Sequence, residues 1–161
     1  MFIEKNIISI FINYFEKELP KLEENYNWLI PNIVGFNKSG NTDYSSNIAL
    51  KKYFYKEWTK SNFEEKIILS KIIVSDWGGV RTNKDITIQG YVKELYKNNP
   101  LTPIKGIASY SKIFSITNLD NYAIYDARVA ASLNAIQWNN KLNNNGLAFH
   151  YVPGRNKIIG R

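Results

Sequence analysis

Apolar side chains recur at Ile3, Ile7, Ile8, Phe11 and Phe15, a spacing that lays one stripe along a helix, and Pro20 follows the pattern. That predicts a helix over 2–19. Residues 27–45 break the rhythm with Pro31, Gly35, Gly40 and several Asn and Ser, and predict a long loop. Helical spacing resumes over 47–59 and again over 62–77, with a division near Ser61–Asn62. In the second segment Phe63, Ile67, Ile68 and Ile72 form the stripe. Glu64 and Glu65 stand in its first turn, where negative charge complements the helix dipole. Gly78–Gly79 is expected to end it.

Residues 86–96 predict a further helix, weakened by Gly90. Pro100 and Pro103 bracket a break. A helix follows over 107–117, then a turn over 118–121, then a helix over 126–142 with Val129, Leu133 and Ile136 on its stripe. The asparagine-biased stretch 139–145 reads as a surface loop, and the tail carries Gly146, Pro153 and Gly154. Nothing resembles a linker or an internal repeat. The expectation is a mainly α fold in a single helical domain over 1–161.

Within 107–117, Ile107, Tyr110, Phe114 and Thr117 share one side of the helical wheel. Lys105, Ala108 and Lys112 lie on the other. Lys112 is therefore expected in solvent or facing a cleft, and not in the core.

Composition narrows the chemistry. The chain has no cysteine, which excludes a disulfide scaffold, a cysteine nucleophile, an iron–sulfur cluster and a thiolate zinc site. His150 is the single histidine, which argues against a His-based metal site or a Ser-His triad. No metal and no cofactor are expected, so catalysis would rest on carboxylates, lysines, tyrosines or hydroxyls. Lys and Arg outnumber Asp and Glu by 21 to 14, for a formal charge of +7. That surplus favours an anionic partner such as nucleic acid, although a Lys- and Asn-rich composition produces the same charge without one. No run approaches the roughly 20 apolar residues of a membrane span. The segment Ile7–Ile12 is interrupted by Ser9, and the first residues do not read as a secretory signal. A cytoplasmic protein with no membrane partner is expected.

The informative stretch is Lys105 to Leu133. It reads as helix, tight turn, short extended run, and a second helix opened by Asp126. A carboxylate there caps free backbone N–H groups, which an ordinary N-cap aspartate also does. The run Tyr122-Ala123-Ile124-Tyr125-Asp126-Ala127-Arg128-Val129 and the preceding Ala108-Ser109-Tyr110-Ser111-Lys112 resemble the helix-hairpin-helix DNA glycosylases, in particular their 8-oxoguanine branch. Trp77-Gly78-Gly79-Val80-Arg81 resembles the element before the hairpin more weakly. The resemblance covers about 100–138.

That resemblance implies a helix-hairpin-helix domain binding double-stranded DNA and excising a damaged or modified base. Asp126 would be the catalytic carboxylate. Lys105 or Lys112 would be the attacking amine, and the choice between them stays open. Arg128, Gly106, Trp77 and Arg81 would meet DNA, while Trp138 and His150 would belong to the base pocket, with Tyr151 and Arg155 nearby. Two features depart from the pattern. The hairpin Pro103-Ile104-Lys105-Gly106-Ile107 has one glycine where the family uses Gly-x-Gly. Lys105 and Lys112 lie 21 and 14 residues before Asp126 (126 − 105; 126 − 112), on either side of the family's usual place. A non-catalytic DNA-binding module on the same scaffold and a helical protein–protein adaptor are the competing expectations.

Overall fold

The computed structural model describes residues 5–118, 120–140 and 147–152, with side chains from Ile7 onward. Ile3, the expected helix end near Leu142, most of the 139–145 loop, Gly146, Pro153, Gly154 and Arg155 lie outside the described residues. The chain is mainly helical, and no strand occurs among the described residues. Its elements are α1 (Lys5–Glu18), a 3₁₀ turn (Leu19–Lys21), α2 (Leu22–Asn25), α3 (Asp43–Lys60), α4 (Phe63–Lys71), a π-helical turn (Ile72–Trp77), α5 (Asp85–Glu94), α6 (Ile107–Thr117) and α7 (Ala127–Asn139). No described helix is long and apolar enough to cross a membrane. The contacts divide the chain into two compact units, one of residues 26–125 and one of residues 1–25 with 126–161.

Local chemistry sets the helix starts in the 26–125 unit. Helix α3 begins earlier than its apolar pattern suggests because Thr42 caps it. Thr42 Oγ1 accepts from the Ser45 N–H at 3.1 Å, and Ser45 Oγ accepts from the Thr42 N–H at 3.1 Å. Asn62 and Glu65 close the same reciprocal box on α4, at 3.0 and 2.8 Å. This explains the division at Ser61–Asn62, and it gives Glu65 a hydrogen-bonding role beside its favourable place on the dipole. The segment predicted as one helix over 62–77 changes its winding midway. Gly78 N–H donates to Ile73 O at 2.9 Å, a five-residue span that widens the last turn.

Helix α6 packs against α3, α5 and the wide turn. Leu50, Phe54, Ile73, Val74, Val92, Ile113 and Phe114 are all but inaccessible to water. Each such side chain contributes roughly 1.5–3 kcal/mol relative to exposure. Aromatic rings continue the packing: Tyr91 meets Tyr110 at 5.7 Å, Tyr110 meets Phe114 at 5.2 Å, and Phe114 meets Tyr122 edge-on at 5.2 Å.

The other unit is smaller. Helices α1 and α7 pack together, and Phe11 sets its ring edge-on to Phe149 at 5.7 Å. Two amide side chains of α7 hold the segment 147–152. Asn134 exchanges two bonds with the backbone of Phe149, at 3.0 and 3.1 Å, and Gln137 exchanges two with that of Leu147, at 2.7 and 2.6 Å.

Candidate functional site

The 26–125 unit contains Lys112, Lys105, Gly106, Trp77 and Arg81. The other unit contains Asp126, Arg128, Trp138 and His150.

Lys112 corrects its expectation. It is 6 % exposed and not solvated, because α6 is buried from Ser109 to Ile116. Its stem crosses the backbone of Gly78, and its Nζ donates to Ala108 O one turn back at 2.6 Å. A buried ammonium is costly unless it is hydrogen-bonded. The polar neighbours on the same helix are also engaged. Ser111 Oγ donates to Tyr125 O at 3.3 Å and accepts from Tyr125 N–H at 3.1 Å. Ser115 Oγ donates to Lys112 O at 3.0 Å. Asn83 Nδ2 donates to Ser109 Oγ at 2.8 Å and so ties the loop after the wide turn to the first turn of α6.

Lys105 is exposed in the turn before α6. Gly106 caps that helix at φ +84°, a left-handed conformation that suits glycine. A side chain there would also collide with the Tyr91 hydroxyl. Both demands are structural. The hairpin is tied down at two further points: Tyr110 O–H donates to Pro103 O at 2.7 Å, and Glu94 Oε2 accepts from Leu101 N–H at 3.1 Å. Burial pushes the Tyr91 and Tyr110 hydroxyls above the usual tyrosine range, and the neighbouring Tyr91 adds to the effect on Tyr110.

Trp77 is a core residue. It is 6 % exposed, its ring packs edge-on against Phe54, and its Nε1–H donates to Asn47 Oδ1 at 3.0 Å. Arg81 remains exposed in the following loop, as does Lys84. Sequence reasoning missed the residues around the indole. Asn47 Nδ2 donates to Trp28 O at 2.7 Å and Asp43 O at 2.8 Å, so one amide joins the long loop, α3 and the wide turn. Lys51, one turn later, holds its amine 5.9 Å from the Trp77 ring centre. Burial lowers its pKa from the usual lysine range. Their four-residue spacing was visible in the chain, but nothing in the sequence pointed it at Trp77.

Asp126 behaves as the N-cap that its place suggested. Its Oδ1 accepts from the N–H groups of Arg128 and Val129 at 3.0 and 3.2 Å, with the backbone of Asp126 extended. Arg128 and His150 are exposed, and Trp138 is 70 % exposed. Neither Trp138 nor His150 enters the open apolar groove of this unit, which Ile8, Phe11, Ile12, Phe15, Leu147 and Phe149 line. Among the described residues no group of three or more His, Asp or Glu could hold a metal ion.

Comparisons with protein-family models, with curated proteins and with solved structures return no match for this chain.

Proposed function

We propose that the chain is a DNA N-glycosylase with lyase capability, acting on a damaged or modified base, with Lys112 as the attacking amine and Asp126 as the catalytic carboxylate. The observation that supports it most is the buried amine of Lys112 in α6. Lys105, the competing amine, is exposed in its turn and has no such enclosure.

Once neutral, the amine attacks C1′ of the flipped nucleotide, and the base departs with the electrons of the N-glycosidic bond and takes up a proton. Positive charge builds on the sugar as that bond breaks, and a fixed carboxylate stabilises it. The capped Asp126 carboxylate suits that task. Opening of the sugar then gives a Schiff base, which permits strand cleavage. Exposed Arg81, Lys84, Lys105 and Arg128 would neutralise phosphates, so duplex affinity should fall as salt rises.

The test is borohydride trapping on end-labelled duplexes, each carrying one altered base, followed by hot alkali and a denaturing gel. The expected result is a covalent adduct with one substrate, lost in Lys112→Ala and retained in Lys105→Ala. Alkali-labile sites without an adduct would remove Lys112 from the mechanism and leave a water-using enzyme. Salt-sensitive duplex binding with no base release across the panel would favour the non-catalytic module. The bond from Lys112 Nζ to Ala108 O supports that second reading, because a purely structural lysine also satisfies itself in this way.

A further inference from the structure

We infer that Gly78 is a positioning residue for the Lys112 amine, its missing side chain forming the slot through which the lysine stem runs. The chemical consequence rests on the glycosylase reading, whereas the contact stands without it. A Cβ built on Gly78 would lie 2.5 Å from Lys112 Cδ and 2.8 Å from Lys112 Cε. Non-bonded carbons sit about 3.5–4.0 Å apart at their optimum, so an added methyl group must displace the stem.

The glycine is needed here for space. Gly78 has φ −81° and ψ −8°, a right-handed backbone open to any residue. Its neighbour Gly79 shows the opposite case. Gly79 has φ +70°, and a Cβ there would meet nothing within 4 Å, so only its backbone conformation calls for glycine. Adjacent glycines that read in the sequence as one helix stop therefore do two different jobs.

The placement of Gly78 is firmly held. The wide turn fixes it through the bond from its N–H to Ile73 O, and Val80 N–H donates to Val74 O at 2.9 Å just beyond. Turns of this winding recur at functional sites. On the other side, the Lys112 amine is held at 2.6 Å from Ala108 O, so displacing the stem pulls the amine from that carbonyl. Misplacing a reacting group by an ångström costs on the order of a hundredfold in rate.

The same Cβ would lie 2.8 Å from Val74 O, so Gly78→Ala also strains the backbone. A double-mutant cycle in urea separates the two effects. Gly78→Ala is measured in the wild-type chain and in a Lys112→Ala background, which removes the stem. The expected result is a clearly smaller loss of stability in the second background. Equal losses in both would assign the glycine to Val74 alone and overturn the inference.

Reductive methylation with formaldehyde and cyanoborohydride, mapped by peptide mass, reads the amine itself. Lys112 should label far more slowly than exposed Lys105 in the wild type. In Gly78→Ala it should label several-fold faster, with Lys105 unchanged. An unaltered Lys112-to-Lys105 ratio would count against displacement of the amine. On a substrate identified by trapping, Gly78→Ala should lower the rate of adduct formation by about ten- to a hundredfold at unchanged KM. A silent trapping panel combined with clear coupling in the cycle retires the glycosylase reading and leaves Gly78 as the residue that places the amine.

Discussion

Helices α1 and α6 invert the usual relation between apolar pattern and burial. Helix α1 has the cleanest apolar rhythm of the chain, yet Ile8, Ile12 and Phe15 are each more than two-fifths exposed. Helix α6 carries three serines and a lysine among its apolar residues, yet every side chain from Ser109 to Ile116 is buried. The difference lies in what the polar groups can reach. Ser109, Ser111, Lys112 and Ser115 each hydrogen-bond to a nearby side chain or backbone group, so enclosure leaves those bonds made. A helix whose polar side chains all find hydrogen-bond partners can be buried along most of its length. Periodicity locates a helix, but it does not say how much of that helix the fold covers.

The sharpest way to break this contrast is a matched pair of truncations. Phe114→Ala should destabilise the chain by about 3–5 kcal/mol. Phe15→Ala, on the exposed face of α1, should cost no more than about 0.5 kcal/mol. Urea unfolding midpoints at constant slope measure both, and comparable losses would show that the α1 stripe is covered in solution.

The next effect probes the local bonds. Ser111→Ala leaves the Tyr125 N–H without its acceptor and should cost about 1–3 kcal/mol in the same assay. A change near zero would mean that apolar packing alone accounts for the burial of α6.

Much of this organisation was legible in the chain. The 107–117 helix, the break at Ser61–Asn62, the stop at Gly78–Gly79 and the cap at Asp126 all rest on signals within a few residues of one another. What was not legible depends on partners far along the sequence. The helical wheel put Lys112 opposite Tyr110 and Phe114, and an outward direction followed only if that side of the helix were free. Gly78, 34 residues earlier (112 − 78), occupies that side instead. Trp77 reads in the sequence as a helix-terminal core residue or, because small residues follow it, as a contact residue; Asn47, 30 residues away, binds its indole N–H inside the core. The candidate residues are legible to the same extent: Asp126 as a helix cap, but not the burial of Lys112.

A smaller effect, on α7, separates structure from chemistry. Asp126→Ala should cost about 1 kcal/mol through loss of the cap, while Asp126→Asn should be nearly neutral, because asparagine caps about as well. On the proposed glycosylase reading, base release should nevertheless vanish in both variants. Full excision by Asp126→Asn on a substrate the wild type cleaves would end the case for a catalytic carboxylate.

The smallest effect belongs to the hairpin that leads into α6. The Lys97 side-chain bond and the Leu101 N–H hold the Glu94 carboxyl below the usual glutamate range. A carboxyl whose folded pKa is depressed adds stability above its unfolded pKa, and that stability is lost as pH falls through the folded value. Glu94→Gln should therefore flatten the acid side of the stability–pH curve slightly and leave neutral pH almost unchanged. A curve of unaltered shape would show that this clamp does not hold in solution.

The paired amides of α7 have a consequence for how the chain tolerates change in length. Asn134 and Gln137 offer the backbone of Phe149 and Leu147 what a neighbouring β-strand would offer, a donor and an acceptor at every second residue. Helix α7 thus counterfeits a sheet edge with two side chains. One residue inserted at Ala148 puts Leu147 and Phe149 out of phase with the amides that hold them.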